Sequence, residues 1–230
     1  SGCPARPAMS HPAARPETAF NWAIYADATF AGLSVLIPIP LVDVAFEQLF
    51  RRRMPGAIAR ARRRPIPRDV VRLLNRLGCS PAALLLFPLW LAFLLLKRLS
   101  KKILYFLTVK DAVDSLSAYW HRAFLIDYML RAGHLDSLAQ AQHAEQALAQ
   151  TLAGVRESPL TTLARQVVRQ TSRVLRRLWS AVRRRPENAA PAPEKETMAA
   201  TWSRFQSYLE EVAARYQAHY DASQVVVMSE

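Results

Sequence analysis

Glycine, cysteine and acidic residues are scarce in this sequence. Its 230 residues include six glycines, two cysteines and 18 Asp plus Glu, against 31 Lys plus Arg. Few glycines and few β-branched runs argue against a sheet protein, because strands favour β-branched residues and tight hairpins favour glycine. Abundant alanine, leucine, arginine and glutamine favour helices instead. We therefore predict an all-α fold, and the apolar fraction of 51% is ample for a core.

The common motifs of enzyme and metal chemistry are also missing. No HExxH, CxxC, GxSxG or GxxxxGK[ST] pattern occurs, which excludes a P-loop nucleotide site within the chain. Cys3 and Cys79 lack metal-ligand spacing, and we expect reduced thiols on the cytosolic side. Asp111, Asp114 and His121 are more typical of a solvated helix surface than of a metal site. We predict a protein that is not an enzyme and has no metal or cofactor.

The surplus of cations is concentrated in two blocks. Residues 51–102 carry 14 Lys and Arg against one acidic residue, and residues 155–185 carry nine Arg against one Glu. Both blocks are mixed with apolar sequence, which is typical of proteins that bind an anionic lipid surface. A basic chain is also compatible with nucleic acid, although no nucleic-acid motif accompanies these arginines.

Residues 81–96 form a hydrophobic run without a charge, and Lys and Arg follow at once. As a helix, sixteen residues cover about 24 Å, which is less than the hydrocarbon core of about 30 Å. Pro88 bends such a helix. We interpret the run as a half-inserted or re-entrant segment with a basic collar; a buried core helix and a tilted span are the alternatives. The candidate membrane contacts here are Leu84, Leu85, Leu86, Trp90, Phe93, Leu94, Lys97, Arg98, Lys101 and Lys102.

The positions of the basic segments favour a monotopic arrangement. If residues 19–42 and 81–96 both spanned a bilayer, the basic segments 51–76 and 97–102 would lie on opposite sides, against the bias of cations for one side. Two hydrophobic pieces that dip from the cytoplasmic face keep both segments at the same headgroups. The alternative is a soluble helical core surrounded by solvated arginines.

The string IPIPLVD is the most distinctive short motif. Pro38 and Pro40 form a stiff, nearly extended elbow, and Asp43 is expected to cap the next helix. The string GLSVLIPIPLVDVAFEQLFRRRMPGAIARAR (32–62) resembles the Pro-Ile-Pro…Asp helical hairpin of bacterial DUF697-type domains and, more distantly, the EcsC family. The resemblance implies a helical, membrane-associated module, often attached to a GTPase, and transfers no catalytic residue. The chain departs from those domains in its Arg-rich sequence, where they carry a Gln and a Tyr-Gly.

Helix start and stop signals predict the order of elements. In the amino-terminal half we expect a helix over 16–31, one that begins at Asp43 and is punctuated by Pro55 and Gly56, and one capped by Asp69.

In the carboxyl-terminal half, the periodicity predicts a helix over 109–132 that ends at Gly133. Ser137 is expected to open an Ala/Gln helix that stops at Gly154, and Ser158 to open the next. The aromatic run 118–128 holds His121 and Asp127. For these two we expect an internal polar contact to a neighbouring helix, with recognition of a headgroup or peptide as the alternative.

The helix expected over 159–185 carries an apolar stripe and an arginine face. Its candidate lipid contacts are Arg169, Arg173, Arg176 and Arg177. An outer bundle helix with solvated arginines and a nucleic-acid contact are the alternatives. Residues 198–220 repeat apolar side chains in a heptad rhythm, which predicts a partner helix within the chain or in a second copy.

Five segments follow from these patterns. They are a disordered arm (1–15), a membrane-associating region (16–107), a helical bundle (108–185), a linker (186–197) and an amphipathic helix (198–220). The expected fold is thus a hydrophobic helical hairpin region packed with a helical bundle, plus a carboxyl-terminal amphipathic helix.

These observations predict a non-enzymatic protein at the cytoplasmic face of a membrane. It would bind anionic headgroups as a peripheral or monotopic protein and scaffold a helical partner or a second copy of itself, and we do not expect nucleic acid as a partner. The two alternative functions are a soluble protein that holds a lipid or other apolar ligand in its core and a basic helical protein that binds nucleic acid.

Overall fold

The computed structural model describes residues 16–36, 42–76, 101–155, 158–169 and 199–228. Within these ranges there are seven α-helices and no strand, which confirms the predicted all-α fold. The helices are α1 (Trp22–Leu33), α2 (Val42–Ala61), α3 (Arg68–Arg76), α4 (Lys101–Ala132), α5 (Leu138–Gly154), α6 (Leu160–Arg169) and α7 (Gln206–Met228). Short 3-10 turns lie at Ser34–Leu36 and Ser203–Phe205.

The second half of α4 is the centre of the bundle. Every residue from 123 to 130 is buried, so this part of the helix is covered on all sides. α1, α2 and α6 pack against α4, while α7 packs mainly against α5. One hydrophobic cluster contains residues of all seven helices, and the helices before and after residue 107 therefore share a core.

Gly32 sets the distance between α1 and α4. A Cβ atom added at Gly32 would lie 2.4 Å from the Cα atom of Leu116, which is far inside the contact distance of two carbon atoms. The lack of a side chain at this position therefore lets the two helix backbones touch.

The predicted start of the first helix is wrong. The helix begins at Trp22 instead of residue 16, because the Asn21 side chain accepts a hydrogen bond from the Ala23 amide at 3.0 Å and caps the first turn. Phe20, which precedes the cap, contacts Trp202 with ring centroids 5.4 Å apart.

Pro55 and Gly56, which were predicted to punctuate this helix, do not interrupt it, since α2 continues through both residues to Ala61. Proline inside a helix costs about 3 kcal/mol. Phe50, Met54 and Ile58 are fully buried on the same face of α2, and each such side chain contributes about 1.5–3 kcal/mol. Burial of this face outweighs the lost hydrogen bond.

Asp43 and Asp69 were predicted to cap their helices from outside, and the structure places each at the second position of its helix. α2 begins at Val42 and α3 at Arg68, so each aspartate lies in a first turn. A carboxylate there still interacts favourably with the positive end of the helix dipole, and Asp43 Oδ1 accepts from the Val44 amide at 2.8 Å. Pro38 and Pro40 lie outside the described residues.

Other signals are confirmed. α4 ends before Gly133, whose φ of +81° favours glycine. The Ser137 side chain accepts from the Gln140 amide and opens α5, which ends at Gly154 as predicted. Ser158 Oγ accepts from the Leu160 amide at 3.1 Å and opens α6.

Two helices are longer than predicted. α4 begins at Lys101 rather than at residue 109, and the last helix extends to Met228 rather than to residue 220.

Candidate functional site

One face of α2 is turned to solvent and carries both apolar and cationic side chains. We call this face the α2 stripe, and it consists of Val44, Ala45, Leu49, Arg52 and Arg60, all of which are exposed. At 100° per residue these positions span about 160° of the helix surface. Val44 and Leu49 are each 46% exposed and rank among the most exposed large apolar side chains. The stripe therefore changes from apolar at the start of α2 to cationic at its end.

The cationic end continues into the turn after α2. Arg63 has a φ of +54°, and its amide and that of Arg64 bond back to Arg60 O at 3.2 Å and to Ala59 O at 3.0 Å. This pattern is a Schellman motif with Arg63 in the left-handed position. Pro65 and Pro67 then prevent the helix from continuing. The turn thus adds the exposed Arg63 directly after the cationic end of α2.

The exposed arginines of α2, the turn and α3 divide into paired and unpaired ones. Arg64 lies 3.2 Å from Asp136, and Arg72 lies 3.1 Å from Asp69. Among the described residues of α2, the turn and α3, four exposed arginines have no ion-pair partner within 4 Å. They are Arg52, Arg60, Arg63 and Arg68. These four cations are available to an external anion.

A buried ion cluster holds the end of α2 on α4. Arg62 donates from Nε and Nη2 to the two carboxylate oxygens of Asp127 at 2.7 and 2.9 Å. Asp127 is 2% exposed and also accepts from Arg131 Nε at 3.1 Å. Arg62 Nη1 lies 2.6 Å from Glu17. The expected internal contact of Asp127 is confirmed.

A chain of hydrogen bonds connects α4, α6 and α7. His121 Nδ1 donates to Ser117 O at 2.6 Å, which leaves Nε2 as the acceptor. The Tyr208 hydroxyl lies 2.9 Å from Nε2, and Ser158 Oγ lies 3.2 Å from it. A hydrogen bond from Ser158 also lowers the pKa of Tyr208 against the larger raising effect of burial. This confirms the internal contact expected for His121.

A serine next to a histidine also raises the question of nucleophilic catalysis. Here Tyr208 competes with Ser158 for the single free lone pair of His121. Ser158 Oγ is in addition the cap of α6. Burial lowers the pKa of His121, so the ring is a poor proton acceptor. The geometry therefore favours a role in holding the three helices together.

Most of the candidate contacts that the sequence predicted lie outside the described residues or have undescribed side chains. Outside the described ranges are Leu84, Leu85, Leu86, Trp90, Phe93, Leu94, Lys97, Arg98, Arg173, Arg176 and Arg177. Lys101 and Lys102 begin α4 and Arg169 ends α6. The structure brings none of these side chains into a site that can be described.

Sequence reasoning did not single out the α2 stripe. The helix predicted after Asp43 was not divided into faces, although Phe46, Phe50, Met54 and Ile58 repeat at a spacing of four and account for its packed face. Val44 and Leu49 fall off that spacing, and this signal was sufficient to predict their exposure.

Among the described residues there is no group of three His, Cys, Asp or Glu side chains that could hold a metal ion. Within the same ranges, no helix has both the length and the apolar composition needed to cross a bilayer. No family model matches the chain, nor does any curated protein or solved structure.

Proposed function

We propose that the α2 stripe and the turn that follows it bind an anionic lipid surface from the cytosolic side. The observation that carries the proposal is the exposure of Val44 and Leu49 on the same helix face as the unpaired cations Arg52 and Arg60. A helix that lies at a bilayer surface needs this combination, with apolar side chains for the acyl boundary and cations for the headgroups.

The expected strength of this contact is modest. Each arginine near an anionic membrane contributes about 1 kcal/mol, and four are available. Full burial of a Val or Leu side chain contributes about 1.5–3 kcal/mol, and here only the exposed half counts. These contributions together correspond to a dissociation constant on the order of tens of micromolar. The contact is therefore peripheral and reversible, and it suits a protein that presents its helices to a partner at the surface.

Nucleic acid is the rival partner for the same cations. Phosphate contacts need arginines and gain nothing from Val44 and Leu49, which would remain exposed. The apolar half of the stripe therefore favours the lipid surface. A soluble protein that carries an apolar ligand in its core is the other rival, and it predicts a lipid that purifies with the protein.

Co-sedimentation with vesicles tests the proposal. The wild-type chain is expected to bind vesicles that contain an anionic lipid, to release them as salt is raised, and to ignore purely zwitterionic vesicles. Arg52→Glu combined with Arg60→Glu is expected to weaken binding at least about tenfold. The matched control is Arg165→Glu combined with Arg204→Glu, which changes the charge equally at exposed positions elsewhere.

Two results would contradict this proposal. An equal loss in both double variants would mean that net charge rather than this face decides binding. Tighter binding of a DNA or RNA duplex in a gel shift, with the same sensitivity to Arg52 and Arg60, would favour the nucleic-acid function.

A further inference from the structure

Four polar side chains from four different helices meet near the end of α3. They are Arg51 of α2, Asn75 of α3, Arg122 of α4 and Glu145 of α5, and we call this place the Arg122 crevice. Arg122 Nη2 donates to Leu74 O at 2.7 Å. Burial lowers the pKa of Arg122, the charge of Arg51 lowers it further, and the charge of Glu145 raises it. Asn75 Nδ2 lies 3.5 Å from Arg52 O, which places the end of α3 against α2 beside Arg51.

The crevice contains buried polar atoms that have no hydrogen-bond partner. Within the described part of the chain, Arg51 Nη2, Asn75 Oδ1 and Glu145 Oε1 are buried and have no hydrogen-bond partner. Folded proteins rarely leave such atoms unpaired, and several in one place point to a bound group. All four residues are partly exposed, although the three unpaired atoms are themselves buried, so the crevice lies just below the surface.

The unpaired atoms define the chemistry of that ligand. Arg51 offers a cationic donor beside the cation Arg122, which suits the oxygens of a phosphate group. Asn75 and Glu145 offer acceptors, which require hydroxyl donors. Glu47, the other nearby carboxylate, already accepts a hydrogen bond from the Tyr119 hydroxyl at 2.5 Å. A phosphate joined to a polyol supplies both the acceptors and the donors.

A groove lies one helical turn away on the same two helices. It has a volume of about 210 Å³ and lies between α3 and α5, where Leu73 and Leu138 form part of its lining. Arg72 and Gln142, which also line it, each precede a crevice residue by three positions. The surroundings of the crevice therefore include an apolar surface beside the polar group.

We propose that the Arg122 crevice binds a glycerol-phosphate group, with the phosphate on Arg51 and Arg122 and the hydroxyls on Asn75 and Glu145. This chemistry occurs both in free glycerol phosphate and in the headgroup of phosphatidylglycerol. The choice of the headgroup as the natural source rests on the proposed lipid-surface function. The crevice then supplies selectivity for one anionic lipid, while the α2 stripe supplies attraction to any anionic surface.

Calorimetric titration of the full chain with glycerol phosphate tests the crevice without a membrane. Binding is expected to be at least about tenfold tighter than that of inorganic phosphate, and glycerol alone is expected not to bind. Arg51→Gln and, separately, Asn75→Ala are each expected to weaken binding about tenfold or more. Arg165→Gln is the control, since Arg165 is an exposed arginine of α6, a helix that contributes no residue to the crevice. Equal affinity for phosphate and glycerol phosphate, or an unchanged Arg51→Gln variant, would overturn the proposal and leave water as the occupant.

Vesicles of phosphatidylcholine with equal fractions of phosphatidylglycerol or phosphatidylserine identify the source of the ligand. A preference for phosphatidylglycerol that Arg51→Gln abolishes supports the headgroup. Equal binding of both vesicles, unaffected by Arg51→Gln, overturns the crevice and leaves the α2 stripe intact. Binding of free glycerol phosphate without any vesicle binding overturns the lipid-surface function and keeps the crevice as a site for a soluble ligand.

Discussion

Arg63 occupies a backbone conformation that usually belongs to glycine. Its φ of +54° ends α2 in a Schellman motif, and a residue with a Cβ atom pays about 1–2 kcal/mol for the left-handed region. The arginine is therefore unfavourable for stability at this position. Its charge on the proposed lipid-binding face is a physical reason for its presence.

Arg63→Gly separates these two effects. We expect the variant to raise the free energy of unfolding by about 1 kcal/mol, because glycine adopts the left-handed region without strain, and to bind anionic vesicles more weakly. Urea unfolding and co-sedimentation measure the two quantities. Arg68→Gly is the control, since it removes an exposed arginine from the first position of α3 and is expected to weaken binding without a gain in stability. A loss of stability in Arg63→Gly would contradict the strain argument.

Asp127 is a single residue on which two arginines depend. Asp127→Asn leaves Arg62 and Arg131 without their buried counter-charge, and we expect a loss of about 3 kcal/mol in the free energy of unfolding. Asp69→Asn breaks an exposed ion pair with Arg72 and is expected to cost less than about 1 kcal/mol. Chemical denaturation of both variants measures the contrast, and similar losses would mean that the Asp127 cluster is no stronger than a surface pair.

At the scale of elements, the contact between α1 and α4 depends on Gly32. Gly32→Ala places a methyl group 2.4 Å from the Leu116 Cα atom, so we expect the helices to separate and the free energy of unfolding to fall by about 2 kcal/mol or more. Gly56→Ala is the matched control within α2. Its added Cβ meets only the end of the Arg60 side chain at 3.9 Å, and a gain of up to about 1 kcal/mol is expected from helix propensity. Thermal unfolding of both variants checks the prediction, which fails if Gly32→Ala is neutral.

At the scale of the whole molecule, one buried and one partly buried histidine, His121 and His134, make stability depend on pH. His134 stacks on Tyr220 with ring centroids 3.7 Å apart, and its Nδ1 lies 3.0 Å from the Tyr216 hydroxyl. Burial lowers the pKa of His134 to about 4, against the opposing charges of Asp221 and Asp136. The unfolded chain then binds a proton between pH 6.5 and 4 that the folded chain does not, so stability falls as pH falls through this window.

Unfolding measured at pH 7.5 and at pH 5 tests this dependence. Because His134 is partly solvated, we expect a loss of about 1–2 kcal/mol rather than the full effect of the shift. His134→Gln removes the titrating group and is expected to reduce the loss, with the remainder due to His121, whose pKa burial also lowers. A wild-type stability that is equal at the two pH values would contradict the prediction.

The sequence by itself determined the helical class and four helix boundaries in the carboxyl-terminal half. Gly133, Ser137, Gly154 and Ser158 act through their own backbone or side chain on adjacent residues, and such local effects are readable without a fold. The aromatic and aliphatic periodicity of the last helix also predicted a buried face, and Trp202, Leu209, Val212 and Tyr216 are buried.

Only the tertiary structure decided which side chains face water and which ion pairs are internal. Pro55 remains in a helix because distant residues bury its face. The Arg62 guanidinium is paired with the carboxylate of Asp127, which lies 65 positions later in the chain. Val44 is left exposed because no described helix covers it. Contacts between residues far apart in the chain set the energies of these positions, and neither periodicity nor charge counting measures such contacts.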